Sequence, residues 1–256
     1  MKKQLLAMAV IAAATGTAQA EQFWADNSVS LLYGEDYTMT PNNGEKNAVT
    51  NMTLEHVSGH SWGSLFFFVD RLVGEGDYSE TYGEFSPTFT LKKFEEGSFV
   101  KAINAAFTYE FGSSTTSKFF LPEGGAYSQD NYLYGIGADL NIPGMNYFST
   151  TYYYSQLNNT FTNGDNDHQL TFVYGWSSGN LNIDGFLDWS TGTDQHDSEL
   201  NFTPQLTYNV GPALGVSNKV KVGVEYSYWN NKFGAKGMED KDRDQNAVSL
   251  LLKVHL

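Results

Sequence analysis

The chain has 256 residues, no cysteine, and 29 acidic against 15 basic side chains, giving a formal charge of −14 at pH 7. That sign excludes a nucleic-acid partner, and the lack of cysteine excludes a disulfide framework and any thiolate metal site. The mean hydropathy of −0.38 does not exclude a membrane location, because a barrel needs only every second strand residue to be apolar.

Residues 1–20 read as a cleaved signal peptide. Lys2 and Lys3 precede an apolar run from Leu5 to Ala14, and Ala18-Gln19-Ala20 forms a small-residue cleavage site. The predicted mature chain, residues 21–256, is a single domain. Losing Lys2 and Lys3 takes its charge from −14 to −16.

Twelve stretches of alternating apolar and polar residues follow: Ser28–Gly34, Ala48–Ser58, Ser61–Leu72, Thr81–Lys93, Phe99–Phe111, Tyr132–Leu140, Asn146–Gln156, Gln169–Trp176, Leu181–Ser190, Ser198–Val210, Val220–Trp229 and Ala247–Leu256. Their outward faces read as Leu65, Phe67 and Val69, or Val220, Val222 and Val224, while Tyr152-Tyr153-Tyr154 is ambiguous in phase. Short turns such as Ser58-Gly59-His60 and Glu95-Glu96-Gly97 alternate with long connections: 35–47, 73–80, 112–131, 157–168, 191–197 and 230–246. The connection Gly211–Lys219 is longer than a short turn requires. An even strand number and this rhythm predict an all-β fold, a twelve-stranded antiparallel transmembrane barrel of the bacterial outer membrane. The aromatic content, sixteen Tyr, eighteen Phe and five Trp, supplies the interfacial girdles of such a barrel. A soluble sandwich or jelly roll would also alternate, but explains neither the signal nor the loop rhythm.

The opposite phase lines the lumen. It carries Glu55, Asp70, Glu84, Glu110, Asp139, Asp184, Asp188, Glu199 and Glu225 against Lys221 and Lys253. Such a wall disfavours anions and favours cationic or neutral polar solutes. Phe66, Phe68, Phe186 and Trp229 share that face and offer stacking surfaces to planar solutes. The plainer alternatives are carboxylates that only hydrate the wall and rings that only fill a narrow barrel.

Several motifs carry a resemblance. Thr53-Leu54-Glu55-His56, Leu65-Phe66-Phe67-Phe68-Val69-Asp70, Gly83-Glu84-Phe85-Ser86-Pro87-Thr88-Phe89-Thr90-Leu91, Tyr134-Gly135-Ile136-Gly137-Ala138-Asp139 and Phe186-Leu187-Asp188-Trp189 are similar to strands of the Tsx-like family of nucleoside-specific outer-membrane channels, which includes the OmpK proteins. The resemblance implies a monomeric twelve-stranded channel passing nucleosides without a cofactor, with Glu55, Asp70, Glu84, Asp139 and Asp188 in its lumen and a phage or colicin receptor role in some members. The chain departs from the family in ending on Leu256 rather than Phe.

Other chemistry is weaker. His168 and His196 lie among Asp165, Asp167, Asp194 and Asp197, as a hydrolase with a rim Asp/His site would require, yet no Gly-x-Ser-x-Gly elbow is present. Asp240, Asp242 and Asp244 imitate a calcium loop, but Gln245 stands where Gly is needed and Leu251 at the twelfth position. The segment 112–131, with Phe119-Phe120-Leu121, is the candidate for an inward-folded constriction or an outward receptor tip of an adhesin-like barrel with a closed pore.

The expectation is therefore a non-enzymatic channel with no cofactor and no metal site. Its substrate-binding lumen consists of Glu55, Phe66, Phe68, Asp70, Glu84, Asp139, Asp184, Phe186, Asp188, Glu225 and Trp229. Its expected partners are nucleosides or other small neutral or cationic solutes, outer-membrane lipid and lipopolysaccharide, the barrel-assembly machinery, and a phage or colicin.

Overall fold

A computed structural model describes residues 21–39, 45–76, 78–114, 127–160, 162, 164–217, 219–234, 236 and 243–256; the predicted signal peptide lies outside the described residues. Its strands are β1 (Gln22–Met39), β2 (Glu45–His60), β3 (Gly63–Gly74), β4 (Ser79–Lys93), β5 (Val100–Ser114), β6 (Tyr127–Leu140), β7 (Tyr147–Leu157), β8 (Asp165–Ser178), β9 (Leu181–Ser190), β10 (Glu199–Asn209), β11 (Val220–Asn230) and β12 (Gln245–His255). Each pairs antiparallel with its chain neighbours, and β1 pairs with β12 from Ser28↔His255 to Gly34↔Ser249, closing the barrel. Closure leaves no strand edge, so the backbone groups of every strand find partners inside the sheet even against lipid.

Period-2 patterning then decides what faces where. On β12, Leu250 is 69% exposed and its neighbour Leu251 is 3% exposed, with Ser249 and Lys253 also buried. The apolar phase faces out on every strand. Outward rings gather near the two ends. Tyr109, Tyr132, Tyr152, Trp189 and Tyr226 lie toward the long-loop end, and Trp62, Phe89, Trp176 and Tyr208 toward the short-turn end. A closed single-chain antiparallel barrel with an apolar exterior, a polar interior and two aromatic girdles is a bacterial outer-membrane protein. The short turns mark its periplasmic end, and Gly97 and Gly144, both at φ 86°, make two of them possible.

The strands run further than the alternation alone indicates. β1 spans Gln22–Met39 rather than Ser28–Gly34, with a bulge between Gly34 and Tyr37. Outside the membrane the outward residues no longer need to be apolar, while backbone pairing continues, so the periodic signal ends before the strand does. The long connections shorten accordingly: 35–47 becomes 40–44, and 112–131 becomes 115–126, which lies outside the described residues together with Phe119, Phe120 and Leu121. The ambiguous tyrosines resolve by pairing. Tyr153 stands opposite Gly135 and Gln169 on the inward face, and Tyr152 and Tyr154 face out. The long periplasmic connection contains a 3-10 turn, Gly211–Leu214, closed by Gly215 at φ 73°.

Candidate lumen site

Glu55, Phe66, Phe68, Asp70, Glu84, Asp139, Asp184, Phe186, Asp188, Glu225 and Trp229 all occupy the inward register of their strands. Most of the acids are held by neutral donors. Toward the periplasmic end Asn104 Nδ2 donates to Asp139 at 2.9 Å, and Gln205 Nε2 donates to Glu225 at 2.8 Å. Thr53 Oγ1 donates to Asp70 at 2.5 Å, and Thr171 Oγ1 and Gln169 Nε2 donate to Asp188 at 2.5 and 3.3 Å. Higher up, Tyr82 donates to Glu84 at 2.7 Å, Asn131 Nδ2 to Glu110 at 2.9 Å, and Trp229 Nε1 to Glu199 at 3.0 Å. Among the described residues, Glu55 alone of these acids has a cation in range, Lys253 at 3.8 Å. Fixing a carboxylate with Asn, Gln, Thr or Tyr leaves its charge available to a passing solute, which a salt bridge would not.

Rings interleave with the acids. Phe66 and Phe68 lie 5.6 Å apart, and Tyr82 meets Phe68 edge-on at 5.7 Å. Tyr82 shares the phase of Glu84 and was legible from the strand pattern; Tyr153 was hidden by its triple-tyrosine run. Its ring lies over Gly135, where an added Cβ would meet Cδ1 at 2.5 Å, and Gly137 leaves the same kind of space for Thr151. The glycines of Tyr134-Gly135-Ile136-Gly137-Ala138-Asp139 therefore let neighbouring side chains lie flat on the wall instead of filling the bore.

The segment 115–126 lies outside the described residues, and among the described residues a different connection reaches into the lumen. The β11–β12 connection folds inward through the turn Lys232–Gly234. Phe233 packs on Trp229 at 4.8 Å and reaches Tyr127 at 6.1 Å. Tyr127 opens β6, diametrically opposite β12 in the strand order, so this contact crosses the lumen. Tyr37, Val49, Tyr78 and Ala247 form the buried cluster beneath Phe233. Lys232, which is buried, donates to the Thr38 carbonyl at 3.1 Å and to Gln245 Oε1 at 2.6 Å. Burial pulls its pKa from 10.5 down to about 8, opposed by the facing carboxylate of Glu80 and assisted by Lys46. No periodic signal marks this loop.

The rim histidines separate. His168 faces out, stacking on Tyr152 and meeting its hydroxyl at 2.8 Å. His196 is buried, with Nε2 3.7 Å from Asp167 Oδ2, while Asp197 pairs with Arg243 at 2.8 Å. Asp167 is engaged by the Thr191 hydroxyl and the Gly192 N–H, so it pins the β9–β10 connection. Asp240 and Asp242 lie outside the described residues, and Asp244 accepts from Asn231 N at 2.7 Å. Among the described residues no three metal-ligating side chains converge.

No protein-family model matches the chain, and no curated protein sequence matches it. The resemblance to the Tsx-like channels thus rests on the quoted motifs. Among solved structures, a KdgM porin aligns with 12% identity and a TM-score of 0.49, covering 89% of this chain and 98% of its own. A NanC porin gives 11% and 0.49, covering 90% and 100%. Outer membrane phospholipase A from Escherichia coli gives 8% and 0.44, covering 94% and 93%. At these identities the likeness extends to barrel architecture and no further.

Proposed function

We propose that the barrel is a passive outer-membrane channel for small neutral or cationic solutes, with nucleosides as the leading class. The observation that carries the reading is the inward face itself: Asp70, Glu84, Glu110 and Asp188 are held by neutral donors, and inward cations are few. Anions meet an unfavourable field in such a bore, whereas a neutral nucleoside can donate its ribose hydroxyls to carboxylates and stack on Phe66, Phe68 or Tyr82. Nucleoside selection draws its support from the motif resemblance and from this mixture of acids and rings. No covalent chemistry enters the reading.

Flux into liposomes carrying the purified barrel tests it, with adenosine and thymidine compared with AMP and a neutral sugar of similar size. Faster nucleoside entry, weakened by Asp70→Ala or Asp188→Ala, supports a selective channel. Equal nucleoside and sugar rates reduce the protein to a general small pore, and absent flux removes the channel reading.

A further inference from the structure

The ammonium of Lys232 sits in a pocket that the barrel wall supplies. Two hydrogen-bond acceptors, the Thr38 carbonyl and Gln245 Oε1, meet it at 3.1 and 2.6 Å, and the Trp229 ring centroid lies 5.3 Å away. Gln245 is pinned in turn: its Nε2 donates to Ser227 Oγ at 2.7 Å, which aims Oε1 at the ammonium. These groups belong to β1, β11 and β12, which barrel closure brings side by side, so the pocket's position does not depend on Lys232. Among the described residues no carboxylate lies within 4.0 Å of Lys232. Its charge is met instead by carbonyl dipoles and a ring face, with the field of Glu80 behind them. That is how proteins hold ammonium ligands.

The loop is bent to deliver this side chain. Asn231 and Phe233 have φ of 53° and 61°, in the left-handed region, which Asn adopts readily and a bulky residue such as Phe does not. The strained φ of Phe233 is held by its packing on Trp229 and Tyr127.

We propose that Trp229, the Thr38 carbonyl and Gln245 form a binding site for an organic ammonium at the extracellular mouth, which the chain's own Lys232 occupies as a tethered ligand. A free alkylammonium competes for the pocket and releases the Lys232–Gly234 turn from the lumen. The inference stands apart from conduction, because binding is read on the barrel in detergent with no flux involved.

The test is calorimetric titration with n-butylammonium, which carries the lysine stem and charge. Lys232→Ala vacates the pocket and should bind at least tenfold more tightly than wild type, and the added Trp229→Leu should abolish the gain. Equal affinity for wild type and Lys232→Ala, or a gain that survives Trp229→Leu, overturns the proposal. Should Lys232→Ala not assemble, judged by heat-modifiable gel mobility, the wild-type barrel decides. n-Butylammonium, displacing the tethered lysine, should speed amide hydrogen exchange in the Lys232–Gly234 turn at least threefold over equal sodium, read by mass spectrometry. An unchanged rate overturns the site.

Discussion

Glu84 on β4 and Glu110 on β5 stand directly opposite each other on the inward face, two carboxylates paired across one register position. Like charges so placed destabilise a strand pair by roughly 0.2–1 kcal/mol. Glu110→Gln should therefore raise the stability of the folded barrel by about 0.5 kcal/mol. Glu84→Gln should gain a similar amount alone and much less on top of Glu110→Gln, since either change already removes the repulsion. Denaturant unfolding from liposomes measures this, and full additivity would show that the two charges do not interact.

The same pair contributes to ion preference. Replacing Glu84, Glu110 and Asp188 with Gln, Gln and Asn should lower the cation-over-anion permeability ratio several-fold while leaving the bore almost unchanged in size. Reversal potentials across a KCl gradient report the ratio. A value unchanged from wild type would assign selectivity to other residues.

Phe233 crosses the mouth to Tyr127 and is strained at φ 61°. Phe233→Gly relieves the strain and removes the ring, so single-channel conductance should at least double. The wall strands do not depend on Phe233, and the thermal transition should move little. Conductance equal to wild type would mean that the narrowest point lies deeper in the bore.

Lys232 makes closure of the mouth pH-dependent. Its pKa is about 8 when inserted and that of an ordinary lysine, 10.5, when the turn is released. The inserted form thus binds fewer protons, and raising the pH favours it. Between pH 7 and pH 9 the inserted population should rise about tenfold relative to the released one. Open probability in planar bilayers should fall accordingly. Lumen carboxylates also titrate as pH changes, so the quantity to read is the part of the pH response that Lys232→Met removes.

Gly135 tests the role of the wall glycines. An added Cβ would meet the Tyr153 ring at 2.5 Å, so Gly135→Val must swing that ring off the wall and into the bore. Conductance should drop, and the double variant Gly135→Val/Tyr153→Ala should restore it.

Much of this barrel is local information. Whether a strand residue such as Glu84 or Phe85 faces in or out follows from period-2 patterning along one strand, which needs no partner to be read. That is why Asp70, Asp139, Asp188 and Trp229 were assignable to the lumen from their apolar neighbours. The pattern weakened where those neighbours were uniform, as at Tyr152-Tyr153-Tyr154, and where strands left the membrane, as in β1 beyond Gly34. In both places pairing with the adjacent strand settled the phase.

The sequence by itself determined the strand number, the phase of the cleanly alternating strands and the acidic sign of the inner wall, because alternation is read from residues two positions apart. Only the tertiary structure decided that, among the described residues, the Lys232–Gly234 turn enters the lumen. The Lys232–Gly234 turn is held by Thr38, Tyr127 and Gln245, residues on β1, β6 and β12 that become neighbours of one loop only after the sheet has closed. No pattern along the chain encodes such a meeting; it is a product of closure.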